Sequence, residues 1–244
     1  YSTDENLWGR SCECGILEDA SVEPPEDSHE WTVSPQKAPA KPTYVEIGFE
    51  SGIPVSIDGK KTAPVELIKI LNEVAGQNGV GRIDHIEDRM VGIKSRETYE
   101  CPAAIVLIKA HRALENMVLT RDLLSFKRGV EQRYSELCYD GMWFSPLKGA
   151  IDAFVDKSQE NVTGKVRVKL YRGSAEVVGR SSPCSLYDEG LATYAQGDKF
   201  NHKSAEGFIY VWGLPLKTVA SIKKAKKPAV QSSNTKKKSA SKKK

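Results

Sequence analysis

Lys165-Val166-Arg167-Val168-Lys169-Leu170 alternates a charged with an apolar side chain over six residues without a slip. Successive side chains on a strand point to opposite faces, so this pattern predicts a strand with one wet and one buried face. Arg172-Gly173-Ser174 turns the chain back into a second strand over 175–179. Upstream, the stretch 44–49 puts Val45, Ile47 and Phe49 on one face, Ser51-Gly52 makes a turn, and Ile53, Val55 and Ile57 resume the alternation. That is the signature of a β-hairpin with one buried face.

Helical spacing takes over between these strands. A helix begins near Thr62 with Pro64 in its first turn, carries Val65, Ile68, Leu71 and Val74, and ends at Gly76. A second covers 102–118 through Ile105, Ile108, Leu114 and Met117, and a third runs from Thr120 as cap through Leu123, Val130, Tyr134 and Leu137. A fourth opens at Ser145-Pro146, hydroxyl cap then proline, with Leu147, Ile151 and Phe154 inward. The glycine-punctuated, charged stretch 77–99 reads as loop, strand, loop, and 206–222 as a last amphipathic helix bent at Pro215. Hairpins and helices in mixed order, without βαβ repeats, predict an α+β fold with an antiparallel sheet, packed helices and a C-terminal helix.

Composition narrows the function classes. At 244 residues, 28% charged and 39% apolar, the chain has the make-up of a soluble globular protein, and no run approaches the length of a membrane helix. The chain starts at Tyr1 with no leader pattern and reads as a fragment. Five cysteines without a framework spacing (Cys12, Cys14, Cys101, Cys138, Cys184) suit free thiols in a reducing cytoplasm. Cys12 and Cys14 lie two apart, but His29, His85, His111 and His202 are scattered, so no zinc site is expected. The net charge of +4 is set by 223–244, which holds ten lysines and no acid. The remainder has 26 basic against 32 acidic residues, a net −6, which speaks against specific nucleic-acid binding. The lysine-rich tail itself reads as disordered.

Two segments are unusual for a scaffold. Tyr1-Ser2-Thr3-Asp4-Glu5-Asn6-Leu7-Trp8-Gly9-Arg10-Ser11 gathers hydroxyls, carboxylates, an amide and an arginine around one Leu-Trp pair. The stretch 79–96 collects Arg82, Asp84, Glu87, Asp88, Arg89, Lys94 and Arg96. Such groups suit a zwitterionic amino acid, whose ammonium needs a carboxylate and whose carboxylate needs donors. They equally suit a surface ion-pair network. Gly76–Gly81 lacks the GxxxxGK[ST] spacing of a phosphate loop.

Whole strings favour the first alternative. YSTDENLWGRSCECGILED (1–19), GVGRIDHIEDRMVGIKSRETYECPAA (79–104), AHRALE (110–115), VLTRD (118–122), GMWFSPL (141–147), VTGKVRVKLYRG (162–173), SLYDEGLATY (185–194) and GFIYVWGLPLK (207–217) resemble argininosuccinate synthases of the bacterial type, in that family's order. Asp88 stands where the family often has Asn, and the lysine tail is extra. The resemblance implies an ATP-dependent ligase of arginine biosynthesis. It joins citrulline and aspartate through a citrullyl-adenylate, releases AMP and pyrophosphate, uses ATP with Mg as cosubstrate, and works as a cytoplasmic homotetramer. It implies Ser2, Ser11, Glu87 and Tyr99 as the citrulline-binding set, a positioning set with no catalytic acid, base or nucleophile. It also implies a division into a citrulline-binding start (1–17), a Pro-rich loop (18–42), a synthetase domain (43–205), an oligomerisation helix (206–222) and the tail (223–244). The SGGxD-type loop that binds ATP in the family occurs nowhere in these 244 residues, so the chain alone is expected to be inactive. Two other classes remain open: an amino-acid-sensing or oligomerisation module built on the same pocket, and a basic-tailed nucleic-acid binder.

Overall fold

The Lys165–Leu170 alternation lies in an eight-residue strand, Gly164–Tyr171, and its apolar members Val166, Val168 and Leu170 are wholly buried. The computed structural model describes residues 1–225, which fall into two units divided between Tyr187 and Asp188. In the first, the order is β1 (Ser2–Glu5), β2 (Arg10–Glu13), β3 (Thr43–Glu50), β4 (Ile53–Ile57), β5 (Lys60–Lys61), α1 (Pro64–Gln77), β6 (Arg82–Asp88), β7 (Lys94–Glu100), α2 (Pro102–Val118), α3 (Arg121–Tyr139), α4 (Pro146–Gln159), β8 (Gly164–Tyr171) and β9 (Ser174–Ser181). The second unit holds α5 (Glu189–Ala192), α6 (His202–Trp212) and α7 (Leu214–Ala225). This is the expected α+β class, with every strand pairing antiparallel. There are, however, two sheets where one was expected: β1-β2-β7-β6 and β5-β4-β3-β8-β9.

The five-stranded sheet is built on apolar burial. Val45, Ile47 and Phe49 of β3 meet Val166, Val168 and Leu170 of β8 on its inner face, and α1 and α2 close over them with Leu67, Leu71, Val106, Ala110 and Leu114. Each such side chain taken out of water stabilises the fold by roughly 1.5–3 kcal/mol. The face of α1 differs from the sequence reading. Leu67, Leu71 and Ala75 point inward, whereas Val65 is exposed. Val65 lies two residues before the buried Leu67, more than half a turn away round the helix, and so points away from the sheet. In β4, Ile53 is likewise exposed, because a bulge at Gly48/Phe49 shifts the register where β4 begins.

Other boundaries hold with physical qualifications. Ser145 caps α4 by accepting from the Lys148 amide at 3.2 Å. Thr120 occupies the cap position of α3, but its hydroxyl makes no capping bond. The stretch 77–99 is not one strand between loops but the hairpin β6–β7, paired from Arg82↔Glu100 to Asp88↔Lys94. Its alternation leaves no hydrophobic period because both faces carry charged and polar side chains. The single helix expected over 206–222 is two helices interrupted at Gly213, with Pro215 accommodated in the first turn of α7. Lys223 and Lys224 belong to the last turn of α7, and the disordered tail expected beyond them lies outside the described residues from 226 onward. Among the described residues no helix is long and apolar enough to cross a membrane.

Candidate functional site

The four-stranded sheet has two unlike faces, and the pleat sorts the charged stretch between them. Arg10, Cys12, Arg96, Thr98, Glu100, Arg82 and Asp84 point to one side. That side is held against the proline-rich segment by ion pairs and backbone bonds. Glu100, almost fully buried, accepts from the amides of Glu30, Trp31 and Thr32 at 2.8–2.9 Å, from the Thr32 hydroxyl at 2.7 Å and from Arg10 at 3.1 Å. Arg96 donates to the carbonyls of Asp19 and Val22 and pairs twice with Asp84. Arg82 forms a forked pair with Glu26 and donates to Thr32. Hydrogen bonding to Arg96 holds the Asp84 carboxyl below the usual aspartate range, and Arg82 does the same for Glu26. Arg82, Asp84 and Arg96 of the charged cluster in 79–96 are thus structural, and they fasten the 18–42 segment to the sheet.

The other face is open and polar. Cross-strand partners share a face, so Ser2 with Glu13, Asp4 with Ser11, Ser11 with Tyr99, Tyr99 with Ile83, Glu97 with His85 and Ser95 with Glu87 all lie on it. All four residues singled out from the sequence therefore share one surface. Tyr99 and Glu87 are brought into contact: the phenol donates to the Glu87 carboxylate at 2.7 Å. Ser11 stands directly opposite Tyr99 on the neighbouring strand. Ser2 is exposed on the edge strand β1, at the opposite edge of the sheet from the β6 strand that carries Glu87. The β1–β2 turn is fixed by Asn6, whose side-chain oxygen accepts from the amides of Trp8 and Gly9.

Three groups on this face were missed by sequence reading. Glu97 also meets the Tyr99 hydroxyl, at 3.0 Å; His85 lies 3.1 Å from Glu87; and the Ser95 hydroxyl is buried without a partner. The signal was available in the i, i+2 spacing of His85/Glu87 and Glu97/Tyr99, once both segments are read as strands. Burial, and then the hydrogen bonds to Glu87 and Glu97, push the Tyr99 phenol far above its ordinary range. It therefore stays a neutral donor. Chemically the face offers hydroxyl donors and carboxylate acceptors and no metal-ligating cluster among the described residues. It can orient a small polar ligand. A separate cleft of about 520 Å³, walled by Phe49, Ile68, Leu107 and Ile108 with His111, Arg112 and Lys127 at its polar end, contains none of these four residues.

The chain is 59% identical over 226 residues to the argininosuccinate synthase of Symbiobacterium thermophilum, covering 93% of this chain and 56% of that protein. It is 58% identical over 222 residues to that of Rubrobacter xylanophilus, covering 91% and 54%, and 57% identical over 224 residues to that of Bacillus pumilus, covering 92% and 56%. The chain thus spans about half the length of the curated relatives it matches. A family model described as the arginosuccinate synthase C-terminal domain matches residues 1–219, and the chain belongs to that family.

Proposed function

We propose that this chain is the citrulline-binding and multimerising part of an argininosuccinate synthase. In this reading the whole enzyme condenses citrulline and aspartate with ATP to argininosuccinate, AMP and pyrophosphate in the cytoplasm. The observation that carries the reading is the shared face of the four-stranded sheet, where Ser11, Tyr99 and Glu87 stand on adjacent strands with Ser2 at the edge. Glu87 neutralises the citrulline ammonium, while Ser2, Ser11 and Tyr99 hold its other polar groups. Their contribution is orientation of the ureido oxygen toward the attacked phosphorus, which replaces an encounter by a fixed geometry. ATP, with Mg, is a cosubstrate of the whole enzyme. The SGGxD-type loop that binds ATP in the family does not occur in these 244 residues.

The proposed division has the citrulline-binding start at 1–17, the fastening loop at 18–42, the synthetase domain at 43–205 and the oligomerising helix at 206–222. The last is supported by α6 and α7, where Phe208, Ile209, Trp212, Leu216, Val219 and Ile222 are all exposed. Large apolar side chains left bare on a helix favour burial against a second copy.

Titration calorimetry of this chain with citrulline tests the site. Binding is expected, and Glu87→Gln should weaken it by at least about tenfold, the usual scale for a charge-assisted hydrogen bond. Unchanged affinity in Glu87→Gln would remove Glu87 from the site. Truncation after Pro215 should lower the oligomer mass in light scattering, and an unchanged mass would refute the role given to the C-terminal helix.

A further inference from the structure

The open sheet face carries more negative charge than its own cations balance. Each arginine or lysine of the four strands and their hairpin turn has a carboxylate of its own: Arg10 with Glu100 and Glu30, Arg82 with Glu26, Arg89 with Glu13, Lys94 with Asp88, and Arg96 with Asp84. Glu87 and Glu97 are left on the open face. Among the described residues their side chains meet only the Tyr99 phenol, and Glu87 also His85. A phenol has one hydrogen and cannot serve two carboxylates at once. At any moment one of the two faces an oxygen lone pair without a proton between them.

We propose that Glu97 is a second ammonium-binding carboxylate of this site, so that an α-amino acid seats its –NH3⁺ between Glu87 and Glu97 while Tyr99 keeps them apart. The inference rests on the citrulline reading and adds a residue to it. An ammonium has three donors and no acceptor, the complement of what a phenol shared by two carboxylates lacks. The cross-strand register keeps the pair in place. Glu97 lies opposite His85 in the middle of the β6–β7 ladder, and Glu87 lies opposite Ser95 two pairs nearer the turn, so both carboxylates project from one face of a paired ladder. Glu97 and Tyr99, two residues apart on β7, share the face by the strand's own period.

The test compares Glu97→Gln with the parent chain by calorimetry, using citrulline and its desamino analogue, which keeps the carboxylate and ureido group but lacks the ammonium. Glu97→Gln should weaken citrulline about tenfold and leave the analogue unchanged. Glu97→Asp, which keeps the charge on a shorter stem, should recover most of the loss. Equal weakening of both ligands, no weakening of citrulline, or a loss that Asp does not relieve would each overturn the proposal. If Glu97→Gln fails to melt cooperatively, Glu97→Asp decides, because a greater loss for the analogue than for citrulline would also overturn it. An absence of citrulline binding by the unmodified chain would instead overturn the reading on which the proposal rests.

Discussion

The two sheets of the first unit are stabilised by different physics. The five-stranded sheet encloses an apolar core, with Ile47, Leu71, Leu114, Val166, Val168 and Leu170 fully withdrawn from water. The four-stranded sheet buries charge: Arg10 and Glu100 are the main occupants of its closed side, together with Thr98 and Cys12. Apolar burial is non-directional and tolerates shape changes, whereas a buried ion pair holds only while every donor has its acceptor. The contrast matches the division of labour proposed above. A sheet that must leave one face wet and polar cannot rely on a core on that side, and it is fastened by directional bonds on the other.

The largest effect that would sharpen this contrast is at Glu100. Glu100→Gln breaks the charge balance with Arg10 and should destabilise by about 3–5 kcal/mol, read from urea melts. A loss under about 1 kcal/mol would mean that the fastening role belongs elsewhere. In the apolar sheet, Leu71→Ala should cost about 2–5 kcal/mol through transfer and cavity terms, and citrulline affinity should stay unchanged in the folded variant. A shift in affinity would show that the two sheets are not independent.

Gly81 tests the junction between them. Its φ is +119°, and an added Cβ would lie 2.6 Å from the Pro102 nitrogen at the start of α2, so Gly81→Ala should cost about 1–3 kcal/mol in the same melts. The smallest effect is pH-dependent. The Asp84 carboxyl is depressed by Arg96. The stability it adds is therefore present above the ordinary aspartate value of about 4 and is lost as pH falls through the lower folded value. Asp84→Asn should melt slightly below the parent at pH 7, within about 1 kcal/mol because the Asp84 side chain is 39% exposed, and the gap should narrow toward pH 2. A gap that widens in acid would contradict the assignment.

The apolar sheet was legible in the sequence because it writes one period clearly. Lys165–Leu170 alternates charge against hydrocarbon, and 44–49 does the same, so face and register follow from the pattern. In 77–99 both faces carry charged and polar side chains, so a hydrophobic pattern shows no period, does not separate the two strands and gives no signal for Glu97, His85 and Ser95. The break of the last helix was misplaced for a related reason: proline is well tolerated in a first turn, so Pro215 opens α7 and the interruption falls at Gly213.

By itself the sequence determined the α+β class and the family, because strand period, capping chemistry and long motifs are local properties of the chain, and the family resemblance is what proposes the set Ser2, Ser11, Glu87 and Tyr99. Only the tertiary structure decided which charges are structural and which face outward. Arg82, Asp84, Arg96 and Glu100 lie within a few residues of Glu87, Glu97 and Tyr99, yet the pleat turns them to opposite sides of one sheet. Which side is closed depends on where the 18–42 segment lies, and that segment is held by bonds between residues about 50 to 80 positions apart, to Glu100, Arg82 and Arg96. No local period carries that information.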